Sequence, residues 1–175
     1  VDTEFMIGLM KKYGYELTGN PREAGVLVIN TCCFIEPATQ EALDTIVEYA
    51  RYKKENCRLL VVTGCLVQRY GRRLPRLLLE VDLWVGTGRY SQVPALVNAA
   101  LEGKMTGDRV CLGKAGWLPE PGMERVLSTP PHLAYVKIAE GCDHRCRFCI
   151  IPRLRGPYRS RPPEEIEKEV KTLVA

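Results

Sequence analysis

The sequence predicts an α/β chain: a parallel sheet with helices on its faces, followed by the start of a second unit. Three observations predict this. Residues 26–29 and 59–62 are short, continuous apolar runs, the pattern of strands buried on both faces. Stretches with apolar residues at helical spacing lie between such runs, and strands alternating with helices imply parallel pairing through crossovers. The composition then turns rich in turn residues after about residue 104, and a fresh strand–loop–helix pattern follows.

Taken in order, Asp2 and Thr3 are expected to cap a helix whose face carries Met6, Leu9, Met10 and Tyr13, with Gly14 ending it. Residues 25–30 form the first strand. Pro37 opens a helix with Ala42, Leu43, Ile46, Val47 and Ala50 on one side. Residues 59–63 form the second strand, and the helical stretch after it breaks near Pro75. Residues 81–85 form a third, weaker strand, and Val93, Leu96, Val97, Ala100 and Leu101 line a last helix. This unit spans 1–104, and its layout leads us to expect a further strand ahead of Val1. Residues 105–131, with Leu-Pro-Glu-Pro-Gly at 118–122 and Thr-Pro-Pro at 129–131, read as a linker. The second unit, 132–175, comprises a strand at 133–138, a long loop at 140–160, and a helix that Pro162, Pro163, Glu164 and Glu165 open and that runs to Ala175. One such unit cannot close a barrel, so this domain is expected to be truncated.

Hydrophobic residues make up 46% of the chain and charged residues 26%, enough apolar mass for a packed core. The net charge of +4 permits an anionic partner without demanding one. No apolar run approaches the roughly 20 residues that span a membrane. The start, VDTEFMIGLM, lacks a basic region followed by an apolar one, so the expected compartment is the cytoplasm. Eight cysteines in a reducing compartment point to metal or redox chemistry before disulfides.

Cys142, Cys146 and Cys149 form C-x3-C-x2-C, the strongest signal in the chain. Three thiolates on one short loop can ligate three irons of a cubane cluster. The fourth iron is then open to chelation by the amine and carboxylate of S-adenosylmethionine (SAM). Two plainer readings compete: a zinc site completed by His144, although zinc ligands more often come as two separated pairs, and three structural cysteines, which the Arg- and Asp-rich loop disfavours. Cys32 and Cys65 each lie just past a strand, and ligand sites in parallel sheets lie at strand carboxyl ends. The same pair also fits two small buried hydrophobes; beside an iron–sulfur unit, a metal site is favoured. Cys33, Cys57 and Cys111 read as non-ligands. Arg145, Arg147, Arg153, Arg155, Arg159 and Arg161 crowd the cysteine loop, as an RNA contact, a positive field for a negative cluster, or a solvated basic loop.

The loop and its place after a strand resemble the radical SAM superfamily, with Phe148 at the usual aromatic position before the last cysteine. The strings Asn-Thr-Cys-Cys-Phe-Ile at 30–35, Gly-Cys-Leu-Val-Gln-Arg-Tyr at 64–70 and Cys-Ile-Ile-Pro-Arg-Leu-Arg-Gly at 149–156 resemble the methylthiotransferases, RimO type. That resemblance implies a parallel-sheet amino-terminal methylthiotransferase domain followed by the start of a radical SAM partial (β/α) barrel. It implies two [4Fe-4S] clusters, a radical-generating one on Cys142, Cys146 and Cys149 and an auxiliary one with Cys32 and Cys65 among its ligands. SAM would be the cosubstrate, with Phe148 beside it. The reaction implied adds a methylthio group to the β-carbon of an aspartate in small-subunit ribosomal protein twelve, with an electron donor such as flavodoxin or ferredoxin. The alternatives are methylthiolation of a hypermodified adenosine in tRNA and, from another class, a non-catalytic zinc or RNA-binding module. As a fragment lacking both ends of the family pattern, the chain is expected to be inactive alone.

Overall fold

Strand β2 (Leu59–Gly64) has every residue buried. It pairs in parallel with β1 (Val26–Thr31) on one side and β3 (Leu83–Val85) on the other. Its side chains alternate between faces, as a pleated strand requires. Leu59 and Val61 enter a core with Met6, Met10, Val93 and Val97, so α1 (Asp2–Lys12) and α4 (Val93–Leu101) cover that face. Leu60 and Val62 enter a second core with Ala42, Ile46, Leu66 and Trp84, under α2 (Glu36–Ala50) and α3 (Cys65–Tyr70). Burial on both faces is why the strand is written as an unbroken apolar run. The computed structural model describes residues 1–105 and 108–174. Among them, no helix is long and apolar enough to cross a membrane.

Several expectations are corrected. Val1, not Asp2 or Thr3, is the residue before the first helical turn, and no side chain caps it; Asp2 is drawn instead to Lys137 and Arg155. Val47 is exposed rather than on the buried side of α2. Within the expected linker, Val110–Cys111 forms β4, which pairs in parallel with β3 and completes the order β1-β2-β3-β4. Trp117 and Ser128, further along that segment, reach α1. Trp117 packs edge-on between Phe5 and Tyr90, at centroid distances of 6.0 and 5.4 Å. Ser128 donates to Glu4 from both its backbone nitrogen and its hydroxyl, each at 3.0 Å.

Residues 133–138, expected as a strand, have no strand partner among the described residues, and Tyr135 and Ile138 are exposed. Backbone of that kind stays hydrated unless a neighbour takes its hydrogen bonds. Strand pairing begins only at β5 (Ala139–Glu140), antiparallel to β6 (Arg159–Ser160). The expected loop at 140–160 also contains a short helix, α5 (Ile151–Arg155). The closing helix α6 (Pro163–Val174) forms as expected up to Val174, and Ala175 lies outside the described residues.

Candidate metal centre at the strand ends

Thr31 and Gly64 are register partners at the carboxyl ends of β1 and β2. Cys32 and Cys65 are the next residues on each strand, so the two come off neighbouring strand ends. Gly64 makes the turn into α3 possible: its φ is +106°, and a Cβ there would sit 2.3 Å from the Thr31 carbonyl oxygen. A side chain would push the strands apart and move Cys65 with them. Cys65 is fully buried and Cys32 exposed. Burial pushes the Cys65 thiol up from its ordinary value; Arg155 opposes this, and Cys32 and Asp2 add to it.

The cysteine loop is closed at its neck by β5 and β6. Gly141 turns it with φ +80°, in a position where a Cβ would meet the Pro157 carbonyl oxygen at 2.1 Å. Within the loop, the Cys142 nitrogen donates to the Gly156 oxygen at 3.1 Å, the Cys149 nitrogen to the Cys146 oxygen at 3.1 Å, and the Tyr158 nitrogen to Asp143 Oδ1 at 2.9 Å. Cys142 and Cys149 are half-buried, and Cys146, His144 and Phe148 are exposed, Phe148 by 94%.

Helix α5 brings this loop to the sheet. Leu154 is 2% exposed and belongs to the core of the α2–α3 face. Its carbonyl oxygen accepts a buried hydrogen bond from Thr87 Oγ1 at 2.7 Å. Next to it, Arg155 reaches across to the strand ends. Arg155 Nε donates to Cys65 Sγ at 3.1 Å, and Nη1 donates to Asp2 Oδ2 at 2.8 Å and Glu140 Oε2 at 3.1 Å. Lys137 pairs with the same two carboxylates. Burial opposes the Arg155 charge, and Tyr90, Cys65 and Asp2 more than offset it. The Tyr90 hydroxyl is buried near this cluster with no hydrogen-bond partner among the described residues, and burial pushes its ionisation up.

The predicted residues therefore fall into two groups that one guanidinium joins. The strand-end cysteines are neighbours, and the three loop cysteines share one solvent-accessible turn. Among the described residues, no three His, Cys, Asp or Glu side chains converge closely enough to hold a metal ion. All eight thiols are free. Three accessible thiols within residues 142–149 are a donor set that fits an iron–sulfur cluster, whose usual ligand is thiolate. Cys33 and Cys57 lie in the core, and Cys111 lies on β4. Sequence reasoning missed Asp2, Glu140, Lys137 and Tyr90. Asp2, Lys137 and Glu140 show in the sequence only as scattered charge and Tyr90 shows no signal, since it is tertiary packing that brings residues 2, 90, 140 and 155 together.

The C-x3-C-x2-C spacing of the loop is that of the radical SAM proteins, and the family match agrees. Residues 136–175 match the Radical SAM superfamily, and residues 1–86 match a family described as Uncharacterized protein family UPF0004. Proteins named ribosomal protein uS12 methylthiotransferase RimO are similar along nearly the whole chain. That from Pelotomaculum thermopropionicum is 47% identical over 99% of this chain and 38% of its own length. That from Heliobacterium modesticaldum is 50% identical over 99% and 37%, and that from Clostridioides difficile 45% over 99% and 38%. The chain thus spans under two fifths of the length of these relatives. The fold is also that of a radical S-adenosylmethionine methyltransferase, TsrM from Kitasatospora setae, solved with tryptophan and a SAM analogue bound (TM-score 0.60, 15% identity, 97% of this chain and 37% of that one). The chain is thus similar along nearly its whole length to radical SAM methylthiotransferases of the RimO type.

Proposed function

We propose that the chain supplies the amino-terminal unit and the radical-generating loop of a transferase that adds a methylthio group to a small-subunit ribosomal protein. The proposed target is the β-carbon of an aspartate in protein uS12, and the proposed compartment is the cytoplasm. The observation that carries this reading is the Arg155–Cys65 contact, which joins the cysteine loop's own helix to the strand-end cysteines. The uS12 name carried by the relatives favours a ribosomal protein over tRNA as the substrate class.

Cys142, Cys146 and Cys149 would hold one [4Fe-4S] cluster, which would supply the reducing chemistry toward SAM, and Cys32 and Cys65 would be among the ligands of a second, which would supply the sulfur. The protein's part is positioning and shielding. The β5–β6 neck and the Gly141 turn hold the three loop cysteines on one short arc. Arg155 donates a charge-assisted hydrogen bond to the Cys65 sulfur, which favours its thiolate form. Asp2 and Glu140 hold that guanidinium in place. Phe148 stands exposed beside the third loop cysteine, where it can lie against SAM. An electron donor of the flavodoxin or ferredoxin class completes the requirement.

The test is anaerobic reconstitution with iron and sulfide, followed by EPR with and without SAM. The expected result is a reduced [4Fe-4S] signal that SAM perturbs and that Cys146→Ala removes. Mass spectrometry should then find the methylthio group on uS12 in cells carrying the intact gene and not in a deletion strain. A colourless protein that takes up zinc would overturn the reading.

A further inference from the structure

The fold sorts the arginines crowded around the cysteines into two sets. Arg155 and Arg161 turn inward, to Asp2 and Glu140 and to Glu169 respectively. Arg153 stays exposed, and its guanidinium makes no ion pair or hydrogen bond among the described residues. It lines a cleft of about 510 Å³ between α3 and α5, together with Arg69 of α3 and Arg72 and Arg73 of the turn after it. Arg72 and Arg73 are likewise exposed and unpaired among the described residues. No acidic residue lines this cleft. Its floor is apolar and partly aromatic: Leu112, Ile150 and Tyr70, with the Arg69 guanidinium 4.9 Å from the Tyr70 ring centroid. Arg69 is anchored by donating to the Cys33 carbonyl oxygen at 3.0 Å.

Four guanidinium groups without a carboxylate among them call for an anionic ligand, and the planar fork of arginine matches phosphate oxygens two at a time. The apolar floor narrows the choice. A nucleotide carries a flat, stackable base beside its phosphate, whereas an acidic peptide brings charge without such a face. The cleft is also of small-ligand size. Four cations exceed the charge of one phosphate, so neighbouring phosphates of a strand account for the rest. We infer that the α3–α5 cleft binds a nucleotide unit of single-stranded RNA. This inference goes beyond the proposed transferase chemistry and does not depend on either cluster.

The experiment measures fluorescence anisotropy of a labelled oligouridylate with the full 175-residue chain across a salt series. The variants are Arg153→Gln alone and the triple Arg72→Gln, Arg73→Gln, Arg153→Gln. All three side chains are exposed and unpaired among the described residues, so the variants should melt with the unaltered chain. The expected loss in the triple variant is about tenfold or more at low salt. The slope of log K against log salt should flatten by roughly 0.7 per lost phosphate contact, about 2 for the triple. The single variant gives a third of that change, and it decides the matter if the triple fails to fold. An unchanged slope overturns the inference. So does a polyglutamate peptide binding as tightly as the RNA, or uridine monophosphate displacing the RNA at equal concentration.

Discussion

Cys65 is fully buried at the end of a strand whose every residue is buried, whereas Cys146 stands exposed on a loop closed by a two-residue ladder. The first cysteine is placed by tertiary structure: strand register, the Gly64 turn, and Arg155 arriving from ninety residues away. The second is placed by covalent spacing, because three ligands within 142–149 stay close whatever the rest of the chain does. The sheet unit is therefore the rigid reference of the molecule. The loop unit is docked on it by α5, which inserts Leu154 into the core and Arg155 into the strand-end cluster, and by Lys137, which pairs with Asp2.

Breaking that link should have the largest effect. Arg155→Met leaves Asp2 and Glu140, 10% and 11% exposed, with only Lys137 to balance them. Removing one member of a buried charge cluster costs about 3–5 kcal/mol. Chemical denaturation of the apo chain should show a loss in this range. A loss under about 0.5 kcal/mol, the level of an ordinary surface substitution, would mean that the guanidinium does not join the two units. Leu154→Ala comes next, at about 2–5 kcal/mol for an emptied leucine site. Hydrogen exchange sharpens the comparison here. Amides of residues 139–160 should lose protection first, while those of β2 keep theirs.

How much of this was legible follows the same division. The two buried strands were readable because burial on both faces demands continuous apolar runs, and the loop cysteines were readable because their spacing is itself the site. β4 was not, because two residues in a segment rich in Gly and Pro carry no periodicity, and only pairing with β3 makes them a strand. The reverse error at 133–138 has the same cause: an apolar run suggests a strand, but a strand exists only where a neighbour takes its hydrogen bonds. Asp2 reads as a helix cap in the sequence, and the cluster around Arg155 claims it instead. Cys65 could be placed at a strand end from sequence, but its hydrogen-bond donor could not, since residues 65 and 155 meet only in the folded chain.

A smaller effect probes the sheet unit through its buried thiols. Burial pushes Cys57 up, against the charge of Lys53, and it pushes Cys111 up against Arg89. In the unfolded chain these thiols ionise near pH ~8.5, so above that point the native state holds more protons than the unfolded one. Their contribution to stability is whole at neutral pH and declines as pH rises past about 8.5, by no more than about 1.4 kcal/mol per pH unit for each thiol. Urea titrations from neutral pH to about pH 9.5 should show that decline. Cys57→Ala with Cys111→Ala should make it shallower without abolishing it, because burial also pushes up Cys33 and Cys65; a decline as steep as that of the unaltered chain would take Cys57 and Cys111 out of it.

The smallest effect on stability belongs to Phe148, and it separates the two regions most cleanly. A phenyl ring that is 94% exposed contributes no core packing, so Phe148→Ala should shift the unfolding free energy by less than about 0.5 kcal/mol. A comparable truncation in the sheet unit, Trp84→Ala at a fully buried site, costs about 3–5 kcal/mol. If Phe148 serves SAM, the same substitution weakens the SAM-dependent change in the EPR spectrum of the reconstituted chain while leaving the cluster signal itself in place. An unaltered SAM response would make Phe148 a surface residue of the loop and remove it from the cofactor site. A lost cluster signal would assign it to the loop's own structure, against its exposure. Stability and cofactor response are expected to part company at this residue, because the loop is specified by its spacing and its ligands while the sheet is specified by its packing.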